Sequence, residues 1–205
     1  DLADESEIPA DFSLMGSFNR ENAVTALAAL KVLFGSCRLQ STAIDGFRKV
    51  VWPGRFQQVG DFIVDGAHNP PAARALASSI ATFNLQPSTF NLICGFCGDK
   101  DVGEVLSILK PIVKKGYAVR TNNPRSLPAE ETAAKMRAVG IDAVACGSLG
   151  EAMRLAGRET EDGRRIERKT LICGSLFLAG EALVELDAYP WGGSRFDPSE
   201  LVAGH

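Results

Sequence analysis

Five short apolar runs, over residues 62–64, 90–95, 116–121, 141–145 and 170–173, alternate with stretches of helical period, and this alternation narrows the fold more than anything else in the chain. The helical stretches cover 71–83, with Asn69 as N-cap and Pro70 at the first position, then a segment reaching 109, then 128–139, 149–156, and a last one opened by Gly174-Ser175 and reaching 186. Strand followed by helix, repeated, buries its apolar faces as an α/β fold: a mostly parallel sheet with helices on both faces. Open sheets of that kind take ligands beyond the carboxyl ends of their strands. The polar residues follow the same rule, because Asp65 to Asn69, Asp99 to Asp101, Asn122 to Arg125 and Gly174-Ser175 each come directly after a predicted strand. These clusters are expected to meet on one edge of the sheet and to form a site there.

Upstream of the alternation the pattern differs. Residues 1–15 are acidic and irregular. A helix follows, with Asn19 as its cap, Ala23, Ala26, Leu27, Leu30, Leu33 and Phe34 as one apolar stripe, and Gly35 as its stop. A shorter helical piece covers 42–49, and Trp52-Pro53-Gly54 marks a boundary. The division expected is 1–54 and 55–205. The chain has 205 residues, a domain and a half at about 150 residues per domain. It begins with Asp1, which points to a processed product or a fragment. Residues 157–168 are charged and read as a solvated loop, and the tail from Ala188 has no period.

A net charge of −3 argues against a general nucleic-acid binder, which carries a basic balance. It leaves room for a small anion held by a few local donors. No run of apolar residues approaches the length of a membrane span, and the acidic start is no signal peptide. The cysteines, Cys37, Cys94, Cys97, Cys146 and Cys173, are odd in number and scattered, as expected of reduced thiols in the cytoplasm. Cys94 and Cys97 form a CxxC, but no second pair or His follows at metal spacing, so no metal site is assigned.

Within the clusters, Asp65 ends a buried strand before Gly66. Its carboxylate suits a ribose diol or, equally, a turn. His68 sits in the strand-to-helix turn, where it can donate to a carboxylate or phosphate, titrate near neutral pH, or simply bond the backbone. Arg55 follows Pro53-Gly54 and is free to reach an anion; a solvated guanidinium is the plainer reading. Lys100, between Asp99 and Asp101, suits an ion-pair network. Ser175 stands at a helix N-terminus and serves a carboxylate or a plain cap. His205 is terminal and takes no part. The chain contains no GxxxxGK[ST] and no GxGxxG.

Pro53-Gly54-Arg55-Phe56-Gln57 followed by Val64-Asp65-Gly66-Ala67-His68-Asn69-Pro70 resembles the hallmark of dihydrofolate synthase/folylpolyglutamate synthase, a branch of the Mur ligase superfamily. Gly98-Asp99-Lys100-Asp101, Asn123-Pro124-Arg125-Ser126-Leu127-Pro128-Ala129 and Cys173-Gly174-Ser175-Leu176-Phe177-Leu178-Ala179-Gly180 resemble its later motifs, in order. Gly16-Ser17-Phe18-Asn19-Arg20-Glu21-Asn22-Ala23 resembles the segment that closes its central ATPase domain. The resemblance runs from about residue 14 to 187 and implies a Rossmann-like domain preceded by a helical remnant of the ATPase domain.

The resemblance also implies a reaction. MgATP phosphorylates a folate or dihydropteroate carboxylate, and the amino group of L-glutamate attacks the acyl phosphate to leave an amide. Asn22 then approaches the adenine, Arg55 the nucleotide phosphate, and Asp65 the ribose. His68 and Ser175 lie near the glutamate or the acyl phosphate, and Asp99 and Lys100 line the same cleft. Where the family often has His-Gln this chain has Phe18-Asn19, and Phe18 offers packing on a base in place of a hydrogen bond. The phosphate loop, the Mg²⁺ ligands and the folate loops belong to an N-terminal domain not in this sequence, so the chain alone is expected to be inactive. Asp65-Gly66-Ala67-His68-Asn69-Pro70 with the later Gly-Ser-Leu-Phe favours the folate branch over peptidoglycan Mur ligases. A non-catalytic module binding a nucleotide or amino acid is the reading from a different class.

Overall fold

The computed structural model describes residues 2–35, 40–82, 90–157, 160–161, 164–165 and 169–188. Two helices come first, α1 (Ser17–Phe34) and α2 (Gln40–Lys49), followed by β1 (Gln57–Val59), β2 (Phe62–Val64), α3 (Pro70–Thr82), β3 (Phe90–Cys94) and α4 (Val102–Leu109). Then come β4 (Val113–Ala118), α5 (Ala129–Ala138), β5 (Asp142–Ala145), α6 (Leu149–Ala156), β6 (Thr160–Glu161), β7 (Arg164–Arg165), β8 (Thr170–Cys173) and α7 (Leu176–Glu185).

The main sheet has the order β1-β2-β8-β3-β4-β5. Only β1 is antiparallel, to β2; the other pairings are parallel. The register explains how short apolar runs serve two layers. Ile63, Leu171, Leu92, Gly116 and Ala143 lie side by side across five strands, and their neighbours Val64, Ile172, Ile93, Tyr117 and Val144 form the next row. Successive side chains point to opposite faces. Ile63, Leu171 and Leu92 pack with α3, α4 and α5 around Leu76, Leu106 and Met136, whereas Val64, Ile172 and Ile93 pack with α6 and α7 around Ala152, Leu178 and Leu183. The runs at β3 and β8 are continuous rather than alternating because both faces are covered.

The expected α/β architecture is therefore present, and its caps are local. Asn69 Oδ1 accepts from the Ala72 N–H at 2.9 Å, Asp101 Oδ1 from Glu104 at 3.1 Å and Ser175 Oγ from Leu178 at 3.0 Å. Other expectations need correction. Asn19 does not cap α1: the cap is Gly16, at φ 96° and with no side chain to offer, while Asn19 is buried in the first turn and donates from Nδ2 to the Met15 carbonyl. The stripe of α1 is covered only in part. Ala23 and Leu27 pack with Ile8 and, from α2, Ala43 and Phe47, but Leu33 and Phe34 are 72% and 67% exposed. β1 was not expected, and β4 begins at Val113 rather than 116. The charged 157–168 segment contains the antiparallel pair β6–β7. Among the described residues no helix is long and apolar enough to cross a membrane. Cys94, Cys97, Cys146 and Cys173 are free and buried; Cys37, His205 and the tail beyond residue 188 lie outside the described residues.

Candidate functional site

Because β2, β8, β3 and β4 run parallel, the loops that leave them share one edge, and their backbones are stitched together there. The Gly174 N–H donates to the Ala67 carbonyl at 2.7 Å, Leu127 to Phe96 at 2.8 Å and Gly98 to Arg125 at 3.0 Å. At Gly174 the backbone takes φ 115°, and a Cβ there would stand 2.8 Å from the Gly95 carbonyl oxygen, so only glycine allows the loops after β8 and β3 to come this close.

A cleft of about 360 Å³ opens on this edge. His68, Asp99, Lys100 and Ser175 line it, together with Cys97, Arg125, Leu176 and Phe177. Lys100 Nζ lies 3.0 Å from Asp99 Oδ2. This contact, with Arg125 adding its field, holds the Asp99 carboxyl below its ordinary range. His68 Nδ1 is 2.9 Å from the Gly66 carbonyl, which requires the proton on Nδ1 and leaves Nε2 as the ring's second polar atom. Ser175 is 4% exposed, with its oxygen committed to the cap of α7. The cap leaves the hydroxyl proton free to donate, and the N-terminal turn of α7 brings Leu176 and Phe177 to the cleft. Two cationic side chains and an imidazole face one carboxylate, an arrangement that suits a ligand carrying carboxylates.

The other candidates lie elsewhere. Asn22 and Arg55 line a separate groove of about 600 Å³ between α1, α2 and the segment leading to β1. Phe12, Phe18, Phe47 and Trp52 give it aromatic walls. Asp65 lines neither. It is 3% exposed, and each carboxylate oxygen accepts a backbone N–H: Oδ2 from Phe56 at 2.8 Å and Oδ1 from Ala67 at 2.7 Å. Burial raises its pKa above the ordinary carboxylate value; the two N–H groups, Arg55 and His68 pull the other way. So the edge brings four of the candidate residues together, the groove brings two, and one stands between them. Arg125 belonged to a cluster visible in the sequence after a predicted strand but was not singled out. Trp52, read only as part of a boundary, turns out to line the groove. Among the described residues no three His, Cys, Asp or Glu side chains gather as a metal site.

Residues 54–176 match the family described as Mur ligase, glutamate ligase domain. The chain belongs to the Mur ligase family. It is 30% identical over 176 residues to the Escherichia coli dihydrofolate synthase/folylpolyglutamate synthase, an alignment spanning 84% of this chain and 39% of that protein. With the enzyme of the same name from Mycobacterium tuberculosis it shares 33% over 130 residues, 58% of this chain and 26% of that one. Two solved structures carry the likeness into three dimensions. Mycobacterium tuberculosis folylpolyglutamate synthase complexed with ADP and AMPPCP superposes at a TM-score of 0.77 and 27% identity, over 86% of this chain and 42% of that chain. E. coli FolC in complex with DHPP and ADP gives 0.68 and 29%, over 82% and 39%. This Mur ligase chain thus spans 39% and 42% of the length of the first relative and first solved structure named here.

Proposed function

We propose that this Mur ligase chain works in an ATP-dependent ligase that joins L-glutamate to a folate or dihydropteroate carboxylate through an acyl phosphate. The observation that carries the reading is the cationic cleft at the carboxyl edge, where Arg125, Lys100 and His68 face the N-terminus of α7. Arg125 and Lys100 hold the carboxylates of glutamate. His68, whose Nε2 stays available while Nδ1 bonds Gly66, and the Ser175 hydroxyl lie beside the incoming amine and the reacting carboxyl. In the aromatic groove Phe18 and Trp52 pack on the base, Asn22 reads its edge, and Arg55 meets phosphate. The groove's size, aromatic walls and single guanidinium fit a nucleotide. The groove has no carboxylate among its lining residues, so Mg²⁺ bound with ATP would take its ligands from the phosphates and from the N-terminal ATPase domain that the family resemblance implies.

We further propose that residues 1–54 are the trailing part of the ATPase domain and 55–205 the glutamate-ligase domain, a division supported by the family match beginning at residue 54 and by the separate small core around Leu27. The free, buried thiols support a reducing, cytoplasmic setting. Calorimetric titration of the 205-residue chain tests the reading. ADP and L-glutamate should each bind weakly, Arg55→Ala removing ADP and Arg125→Ala or His68→Ala removing glutamate. The chain lacks a GxxxxGK[ST] loop, so alone it should form no amide from ATP, glutamate and tetrahydrofolate or dihydropteroate. Amide formation by the pure chain would refute that part, and unchanged titrations in all three variants would reject the assignment of the clefts.

A further inference from the structure

The main sheet parts its connections at more than one place on the carboxyl edge. β8 is followed by α7 on one face and its neighbour β3 by α4 on the other, and the cationic cleft opens there. β4 and β5 are neighbours as well, and they too send their helices, α5 and α6, to opposite faces. Open α/β sheets take ligands where adjacent strands part in this way. At the parting of β4 and β5 lies a separate cavity of about 520 Å³, walled by Arg120 and Asn122 after β4, Gly150 in the first turn of α6, and Glu181 and Glu185 on α7. We propose that this cavity is a second ligand site, one that takes a basic α-amino acid. Its charges choose the ligand. Arg120 makes no hydrogen bond or ion pair among the described residues, although it shares the cavity with two carboxylates. Glu181 is held in place, its Oε1 accepting the Asn122 N–H at 2.9 Å. Glu185 Oε1 reaches α6 over Gly150, where a Cβ would stand 2.8 Å from it. The start of α6 is therefore served from within the protein: by Glu185, by Ser148 Oγ, which accepts the Glu151 N–H at 3.1 Å, and by Glu151 Oε2, which accepts the Gly147 N–H at 2.7 Å. A phosphate or a dicarboxylate would meet two carboxylates for one guanidinium. A basic amino acid carries the reverse set, one carboxylate for Arg120 and two cations for Glu181 and Glu185, and a guanidinium side chain can engage a carboxylate through two N–H groups at once.

The test uses the 205-residue chain with L-arginine as the probe. Agmatine is the same molecule without its carboxylate, and L-citrulline keeps the shape with a neutral side chain. In titrations followed by nuclear magnetic resonance, L-arginine should shift the Asn122 and Gly150 amides. It should bind about tenfold or more tighter than either analogue, the scale of a hydrogen bond to a charged group. Arg120→Ala should weaken L-arginine by a similar factor and leave agmatine unchanged. Glu185→Gln should weaken L-arginine and agmatine and leave L-citrulline nearly as it was. Gly180 also lines the cavity, and a Cβ there meets nothing within 4 Å. Gly180→Leu therefore fills the space without removing a charge, and should abolish binding of L-arginine while the melting temperature holds. No response of the two amides at about 10 mM L-arginine, ample for a site of about 1 mM affinity, would overturn the proposal. So would equal affinity for the three ligands, binding that survives Gly180→Leu, or L-glutamate shifting the same amides as strongly. Should Gly180→Leu unfold, Arg120→Ala and Glu185→Gln still decide, since both change exposed residues.

Discussion

Asp65 leaves a mark on stability against pH. Its pKa is raised in the folded state, chiefly by burial, so its ionisation is less favourable there than in the unfolded chain. The stability this group contributes is fully present below the ordinary carboxylate pKa and is lost as pH rises through the raised folded value. Thermal unfolding of the unsubstituted chain and Asp65→Asn should therefore diverge on acidification, the unsubstituted chain gaining relative to the variant as pH falls from neutral. A gain in the opposite direction would mean that burial does not dominate at Asp65. At Ser175 the cap and the cleft separate by substitution. Ser175→Ala removes the acceptor for the Leu178 N–H and should cost about 1 kcal/mol. Ser175→Asp should restore the cap and the melting temperature, yet weaken L-glutamate by setting a carboxylate in the cleft; recovery of both would mean that Ser175 serves α7 alone.

At the scale of elements, α5 meets β4 where Gly116 leaves room for Met136. A Cβ at 116 would lie 2.1 Å from Met136 Cε and 3.1 Å from Ala143 Cβ. Gly116→Ala should lower stability by about 1–3 kcal/mol, the usual cost of overpacking. In a Met136→Ala background it should cost less, as read from denaturant midpoints, because the thioether is what it displaces. Element identity was legible where the signal is local. Asn69, Asp101 and Ser175 cap from within their own turns, and β3 and β8 are runs apolar enough to be buried on both faces. It failed where the cause lies elsewhere in the chain. Gln57, Gln58 and Val59 become a strand only by leaning on β2, and Lys114 and Lys115 hide the start of β4. Gly16 caps α1 with its backbone alone, and a glycine carries no side chain by which the sequence marks a cap.

For the whole molecule, the edge of the sheet was legible from strand order alone, since every cluster follows a parallel strand. The split into two clefts was not, because it depends on how α1 and α2 stand against the sheet and on a hydrogen bond from the Phe56 N–H to the Asp65 carboxylate, across nine positions of sequence. The same arrangement leaves Val32, Leu33 and Phe34 exposed at the end of α1. Leu33→Lys with Phe34→Lys should reduce any concentration-dependent association in sedimentation without changing the far-ultraviolet spectrum. Occupation of the groove should also register globally, ADP raising the melting temperature in proportion to the logarithm of its concentration above Kd, and Arg55→Ala abolishing the rise.

The position of β8 has a consequence for the order in which the molecule can be made. The last strand of the main sheet lies in its middle, between β2 and β3. A ribosome that has released everything before residue 170 holds β2 apart from β3, each with an unpaired inner edge open to another chain. Parallel, non-local pairing of this kind is slow and exposed to aggregation. The stretch from Gly174 to Phe177 is also the last part of the cleft to be translated, so a nascent chain can present neither a complete sheet nor a complete cleft until α7 emerges.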